Sequence, residues 1–291
     1  GHGGSNYLLT VCSFSGGRTS AFMTNWLLDN CANEYDIKVV FSNTGQEHQK
    51  TLEFIKRCDD ELGFGTAWVE AVVYQNERRS SSHKIVTFET ASRAGEPFES
   101  IIQKYGIPNI AFPHCTRELK LRPIRSYMNS IGWETGSYET AIGIRIDETR
   151  RVKKDAKKAK ISYPLIDIIP TDKQDVNDWW EEQSFNLEIP EHHGNCTWCW
   201  KKSLSKHFKL ISESPEIYDF PRRMEELHGR TGAGSSKGES RVFFRNFIST
   251  NDLFKAAEIA DNSAMGKMQM DLDLNGGCSE SCEVYAMENL S

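Results

Sequence analysis

No apolar run in the 291 residues approaches the roughly 18 that a membrane-crossing helix needs, so membrane insertion is not expected. The opening Gly1-His2-Gly3-Gly4-Ser5 has neither the basic region nor the apolar stretch of a secretory signal. It reads as a cloning scar outside the fold, and a cytoplasmic location is expected. An excess of basic charge is also missing. Lys and Arg number 35 against 41 Asp and Glu, a net charge of -6, which argues against a strongly basic nucleic-acid binder. No internal repeat is present. What remains is a soluble globular composition, 38% hydrophobic and 26% charged, with a mean hydropathy of -0.55. The length suits one main core with a C-terminal extension.

Charge is nevertheless uneven. Arg150-Arg151-Val152-Lys153-Lys154 and Lys157-Lys158-Ala159-Lys160 form a basic island, read either as a solvated face or as a contact for nucleic acid or phosphate. The eight cysteines divide by context. Cys12, Cys31 and Cys58 lie beside apolar residues, where cysteine behaves as a small hydrophobe. Cys115, Cys196, Cys199, Cys278 and Cys282 lie among Pro, Gly, Asn and His in loop-like stretches. In a reducing compartment these suggest metal or redox chemistry sooner than disulfides.

Hydrophobic patterning predicts a strand over residues 7–14, a small-residue turn and a helix containing Ala21 to Leu28. It then predicts a strand over 37–41, a turn at Asn43-Thr44-Gly45, a helix over 46–62 and a strand over 68–74. Helices are expected over 98–105, 119–131, 172–183 and 252–260, with a strand over 138–146 and a polar loop over 78–82. Alternating strands and helices imply an α/β fold: a doubly wound, mostly parallel sheet whose ligands bind beyond the carboxyl ends of the strands. The expected division is a nucleotide-binding domain over 6–228, a flexible Gly- and Ser-rich loop over 229–240, and a helical extension over 241–291 with a cysteine-rich tail.

Ser15-Gly16-Gly17-Arg18-Thr19-Ser20 joins the first strand to the first helix. Small residues there let backbone N–H groups approach an anion, and the helix N-terminus adds a favourable dipole. The loop lacks the Lys-Ser/Thr ending of a Walker motif, which disfavours an ordinary kinase or GTPase. By itself it fits a plain strand-to-helix turn equally well.

Five segments, in the same order and spanning about residues 7 to 205, resemble the phosphoadenosine-phosphosulfate reductase family of the phosphate-loop ATP pyrophosphatase superfamily. The loop at Ser15 resembles Ser-Gly-Gly-Lys-Asp-Ser, and Phe41-Ser42-Asn43-Thr44-Gly45-Gln46-Glu47 resembles the Asp-Thr-Gly strand end. Cys115-Thr116-Arg117-Glu118-Leu119-Lys120-Leu121-Arg122-Pro123-Ile124 is similar to the Cys-Cys…Lys…Pro-Leu segment. Gly143-Ile144-Arg145-Ile146-Asp147-Glu148-Thr149-Arg150-Arg151 is similar to the Gly-Ile-Arg-Arg-Asp-Glu-Ser loop. Finally, Tyr163-Pro164-Leu165 precedes Cys196-Thr197-Trp198-Cys199 as Tyr-Pro-Leu precedes the family's Cys-X-X-Cys.

The resemblance implies an adenine nucleotide alpha hydrolase-like fold. Its nucleotide, ATP or a sulfonucleotide (PAPS or APS), is held by Ser15, Gly16, Gly17, Arg18, Thr19, Ser20, Thr44, Gly45, Lys120 and Arg151. Arg145 and Asp147 are expected in catalysis, the guanidinium as a multi-donor fork for phosphate. Arg18 and Thr19 replace the family's Lys and Asp. Either magnesium-assisted ATP chemistry is weakened, or Asp147 or Glu47 supplies the carboxylate.

Iron-sulfur members of the family place a cysteine pair before the same Cys-X-X-Cys, and here His114 replaces the first of that pair. The expectation is a [4Fe-4S] cluster on Cys115, Cys196, Cys199 and Cys278, with structural zinc or no metal as the alternatives. His114 and Cys282 are other candidates for the fourth ligand, and a site open to substrate sulfur is a further reading. The reductases end in Glu-Cys-Gly carrying a nucleophilic thiolate, the role expected of Cys282, yet Cys282 is followed by Glu. Three functions follow. The first is an iron-sulfur ATP pyrophosphatase that adenylates an acceptor for sulfur transfer, as in DNA phosphorothioation or tRNA thiolation. The second is a thioredoxin-dependent sulfonucleotide reductase. The third is a non-catalytic nucleotide-binding partner of a cysteine desulfurase.

Overall fold

The computed structural model describes residues 8–232 and 240–263. The expected cloning scar and the tail cysteines Cys278 and Cys282 lie outside the described residues, as do residues 233–239 of the Gly- and Ser-rich stretch.

The chain opens with β1 (Leu8–Ser13), α1 (Arg18–Asn30), β2 (Tyr35–Asn43), α2 (Gln49–Leu62) and β3 (Ala67–Val72). It continues through β4 (Ser82–Val86), α3 (Glu96–Tyr105), a π-helical turn (Arg117–Leu121) and α4 (Arg122–Ser130). Next come β5 (Glu139–Ala141), a 3-10 segment (Ile146–Arg151), β6 (Ile161–Ser162), α5 (Pro164–Asp167) and α6 (Lys173–Glu181). The helices α7 (Leu204–Glu213), α8 (Asp219–His228) and α9 (Thr250–Asp261) follow.

Among the described residues the sheet has six strands in the order β4-β3-β2-β1-β5-β6. Every pair is parallel except β3 with β4. Alternate side chains serve opposite faces, as strand pleating requires. Cys12, Val39, Phe41 and Trp68 pack with residues of α1, α2 and α6, while Val11, Val40 and Val69 meet Leu121, Ile124 and Met128. Helices on both faces of a mostly parallel sheet make the doubly wound arrangement. Strand order reverses between β1 and β5, and at such a switch point the loops splay apart to leave a crevice.

Three expectations needed revision. β5 is shorter than the strand expected over 138–146, because the chain leaves the sheet after Ala141 to run over the start of α1. The antiparallel β4 was missed: Ser82-His83-Lys84-Ile85-Val86 carries a polar edge pattern, and Ile85 is exposed. The helix expected over 119–131 begins instead as the π-helical turn. The extension beyond 240 is joined closely to what precedes it. Phe243 and Phe244 are buried in one cluster with Trp198, Tyr218 and Phe220, and the Arg241 N–H donates to the Gly229 carbonyl at 2.7 Å. No helix among the described residues is long and apolar enough to cross a membrane.

Candidate functional site

Ser15–Ser20 lies at the carboxyl end of β1, on the switch-point crevice. Gly16 has φ +84°, and a Cβ there would fall 2.7 Å from Thr51 Cγ2, so both conformation and space require glycine. Gly17 caps α1 without a side-chain hydrogen bond, and the first turn carries no acidic residue. The amide end of α1 therefore faces the crevice without a side chain capping it, as an anion site needs. The Ser15 and Ser20 hydroxyls lie 3.2 Å apart, and Ser20 Oγ donates to the Gly17 carbonyl. The Arg18 side chain donates from Nε to Asn186 Oδ1 at 2.8 Å and from Nη2 to the Leu187 carbonyl.

The loop after β5 forms the facing wall. A Cβ on Gly143 would lie 3.1 Å from Ser20 Cα, so the two loops touch. Arg145 Nη1 donates to Thr19 Oγ1 at 2.9 Å, while Nε and Nη2 grip Asp147 at 3.0 Å each. The Arg145 guanidinium holds the Asp147 carboxyl below its ordinary range. The buried Glu148, unmarked by sequence reasoning beyond its place in the motif, accepts from Arg151 Nη1 at 2.9 Å and lies 3.5 Å from Arg145 Nη2. Two arginines, two carboxylates and Thr19 thus form one network.

The end of β2 makes the next wall. The Glu47 carboxylate accepts from the Thr44 and Gly45 backbone N–H groups and from Thr44 Oγ1, closing the loop on itself. Burial raises the Glu47 carboxyl, opposed chiefly by the Lys120 cation. The same loop is stitched to the Cys-X-X-Cys segment. Cys196 bridges Glu47 through the backbone, the Thr197 N–H donates to the Gln46 carbonyl at 3.1 Å, and Thr44 Oγ1 is 3.5 Å from Cys196 Sγ.

Behind this junction lies a small, partly open pocket, whose lining includes Thr44, Phe98, Cys115, Lys120, Cys196, Trp198, Cys199 and Trp200. Cys115, Cys196 and Cys199, the first 81 residues before the second in sequence, thus line one pocket with Thr44 and Lys120, although among the described residues the three sulfurs are not all within 4.8 Å of one another. Cys115 leads into the π-helical turn, an irregularity that recurs at functional sites, and that turn carries Lys120. His114 is directed elsewhere: its Nε2 is 3.0 Å from the Gly106 carbonyl, and burial, with Arg117 second, pushes its imidazolium down to about 4. Cys12, Cys31 and Cys58 are buried apart from the cavity in the α1–α2 core. Burial raises all three thiols, Cys12 to about 12, consistent with structural roles.

Lys202 was missed because a Lys-Lys pair in sequence reads as solvated surface. It is 1% exposed, and its ammonium donates to the carbonyls of His192, Gly194 and Thr197 at 2.6, 3.0 and 2.9 Å. That ammonium folds the chain into the loop that presents Cys196 and Cys199.

Together these features define an α/β protein with an anion-receptive crevice at the sheet's switch point and an adjoining cysteine-lined cavity. The chain is 30% identical over 285 residues to the nin region protein ORF290 of Escherichia phage lambda, described as uncharacterized, and the match covers 96% of each chain. It belongs to the family of that phage protein. No family model matches the chain.

Proposed function

We propose that this protein is an iron-sulfur ATP pyrophosphatase of the adenine nucleotide alpha hydrolase-like fold, which adenylates an acceptor for sulfur transfer. The observation that carries the reading is the junction of the two sites: Thr44 belongs to the strand-end loop beside the crevice and also lines the cavity of Cys115, Cys196 and Cys199.

ATP in the crevice sets its phosphates against the start of α1, with the Arg145 and Arg151 guanidiniums on the facing loop. An acceptor oxygen attacks the α-phosphorus, the bond to the bridging oxygen breaks, and pyrophosphate leaves. The cationic groups stabilise charge developing on that leaving group. Asp147, gripped by Arg145, orients the fork and offers a carboxylate for magnesium. The cavity residues fit a cluster by their chemistry: three soft thiol donors in apolar surroundings, and a buried Trp200 indole N–H with no partner among the described residues. Cys115, Cys196 and Cys199 would hold the cluster, which supplies sulfur or electron chemistry when bound. Cys278 or Cys282 would complete the ligand set. The exposed Lys154, Lys157, Lys158 and Lys160 lie on the β5–β6 connection that also carries Arg145, which favours a nucleic-acid acceptor such as DNA or tRNA. A cysteine desulfurase is the proposed sulfur donor.

A side-by-side turnover assay tests the reading. Pyrophosphate release from ATP, together with absorption near about 400 nm after anaerobic purification, is expected. Thioredoxin-dependent sulfite release from a sulfonucleotide would make the protein a reductase instead. Nucleotide binding without turnover would leave a binding subunit, and a colourless protein with stoichiometric zinc would remove the cluster.

A further inference from the structure

Away from the crevice and the cysteine cavity, two adjacent imidazoles converge on one carboxylate oxygen. His192 and His193 belong to a single 3-10 turn, Glu191–His193, and Glu213 is the last residue of α7. Nε2 of His192 lies 3.0 Å from Glu213 Oε2, and Nε2 of His193 lies 3.3 Å from the same atom. We propose that His192, His193 and Glu213 form a second metal site, taking a borderline first-row divalent cation of the zinc type.

Distances support this first. Zinc bonds of about 2.0–2.2 Å place neighbouring tetrahedral ligand atoms roughly 3.3–3.5 Å apart. The two nitrogen–oxygen separations are already within a few tenths of an ångström of that, and the ligand atoms of all three residues lie within 4.8 Å of one another. The same contacts also concentrate polar groups on one point. One carboxylate oxygen receives two imidazole donors, while Nδ1 of His193, a residue 8% exposed, has no partner among the described residues. A cation there would use both Nε2 lone pairs and the carboxylate charge, and Nδ1 of His193 would then carry the ring proton.

The scaffold is also prepared. Lys202 fixes the carbonyls on either side of His193, and the His193 N–H donates to the Pro190 carbonyl at 3.0 Å. The ring of His48 stands edge-on to His193 at 5.6 Å, closing one side. The Lys209 ammonium, 3.4 Å from the other Glu213 oxygen, disfavours hard oxygen-seeking ions, while the imidazoles favour zinc-like ones. Bound metal would pin the turn before Cys196 to α7 and so rigidify the Cys-X-X-Cys loop from outside its cavity. This site is independent of the iron-sulfur reading.

Cobalt(II), titrated into the chelator-treated full chain, is the probe. We expect one equivalent with visible ligand-field bands but without the near-ultraviolet thiolate-to-cobalt band, retained in Cys196→Ser and displaced by zinc but not magnesium. Glu213→Gln, at an exposed helix end, should weaken that equivalent by more than roughly tenfold, as should His192→Asn. The proposal is overturned if cobalt uptake is the same in both variants, or if all bound cobalt shows the thiolate band.

Discussion

The indole N–H of Trp198 donates to Oε1 of Gln46 at 2.7 Å, tying the middle of the Cys-X-X-Cys to the loop that ends β2. Trp198 is fully buried against Phe98, Phe220 and Phe243, so the donor end of this bond is shielded from water, while Gln46 is half-buried. A shielded neutral hydrogen bond contributes about 1 kcal/mol net, and leaving one partner unpaired costs about 1–3 kcal/mol. Trp198→Phe and Gln46→Leu should each destabilise the protein by about that larger amount. The double variant should be less destabilised than the sum of the two. Denaturation curves for the four-member cycle measure this, and strict additivity would show that the residues are not coupled.

Gly143 offers a purely steric test, since its backbone is not left-handed. Its would-be Cβ lies 3.1 to 3.4 Å from Ser20 N, Cα and Cβ, tighter than ordinary contact. Gly143→Val should push the Ser15–Ser20 loop away from the facing wall. We expect the dissociation constant for ATP to rise by more than about tenfold, roughly 1.4 kcal/mol, with the circular dichroism spectrum unchanged. Calorimetric titration with ATP decides it. Unaltered affinity would place the nucleotide elsewhere.

Arg145 spans Thr19 and Asp147 with three separate N–H groups. A lysine keeps the charge but not the planar fork. Arg145→Lys should therefore reduce pyrophosphate release by about 10- to 100-fold, the loss of one charge-assisted hydrogen bond to phosphate of about 1.5–3 kcal/mol. Protein stability should change little. A rate within twofold of the parent would assign Arg145 to scaffolding alone.

How much of this was legible in the sequence depends on the range of the interaction. The alternation of apolar strands and helices, the small-residue loop at Ser15 and the tight turn at Thr44-Gly45 are local patterns, and each lies at a strand end as expected. The Cys-X-X-Cys is local as well, but its meeting with Cys115 depends on how the α3–α4 connection crosses the sheet. Arg18 bonds Asn186, 168 residues distant, and Leu187, a pairing that no local signal announces. The buried Lys202 and Glu148 were hidden for the same reason. A charged residue reads as surface until the fold supplies its partners.

Lys202 gives a prediction of its own. Lys202→Met removes the ammonium but leaves three inward carbonyls without their donor, so a loss of at least about 1–3 kcal/mol, the cost of one unsatisfied buried group, is expected. The loss should be concentrated in residues 192–202. Cys196 and Cys199 are each 5% exposed in the intact loop. They should react with a thiol reagent much faster in the variant, while Cys12 and Cys58 stay protected. Mass spectrometry of partially labelled protein locates the change. Equal labelling of all cysteines would mean global unfolding, and no change would mean that the loop does not need Lys202.

His207 sets a pH dependence whose sign can be worked out. It is fully buried on α7, its Nδ1 is 2.7 Å from the Tyr218 hydroxyl, and its ring packs edge-on to Phe244. Burial first, then the Lys202 and Arg245 cations, hold its imidazolium well below the ordinary value of 6.5. The unfolded chain therefore binds a proton below about pH 6.5 that the native state refuses. Stability from this group is fully present above that pH and is lost as pH falls, at about 1.4 kcal/mol per unit while the native ring stays neutral. Replacing both partners, His207→Phe with Tyr218→Phe, removes the titrating ring without leaving a buried hydroxyl unpaired. Other histidines also titrate in this range, so the double variant should keep a slope smaller by one proton. Urea denaturation between about pH 5 and 7 measures it, and parallel curves for the two proteins would show that His207 is not held neutral in the fold.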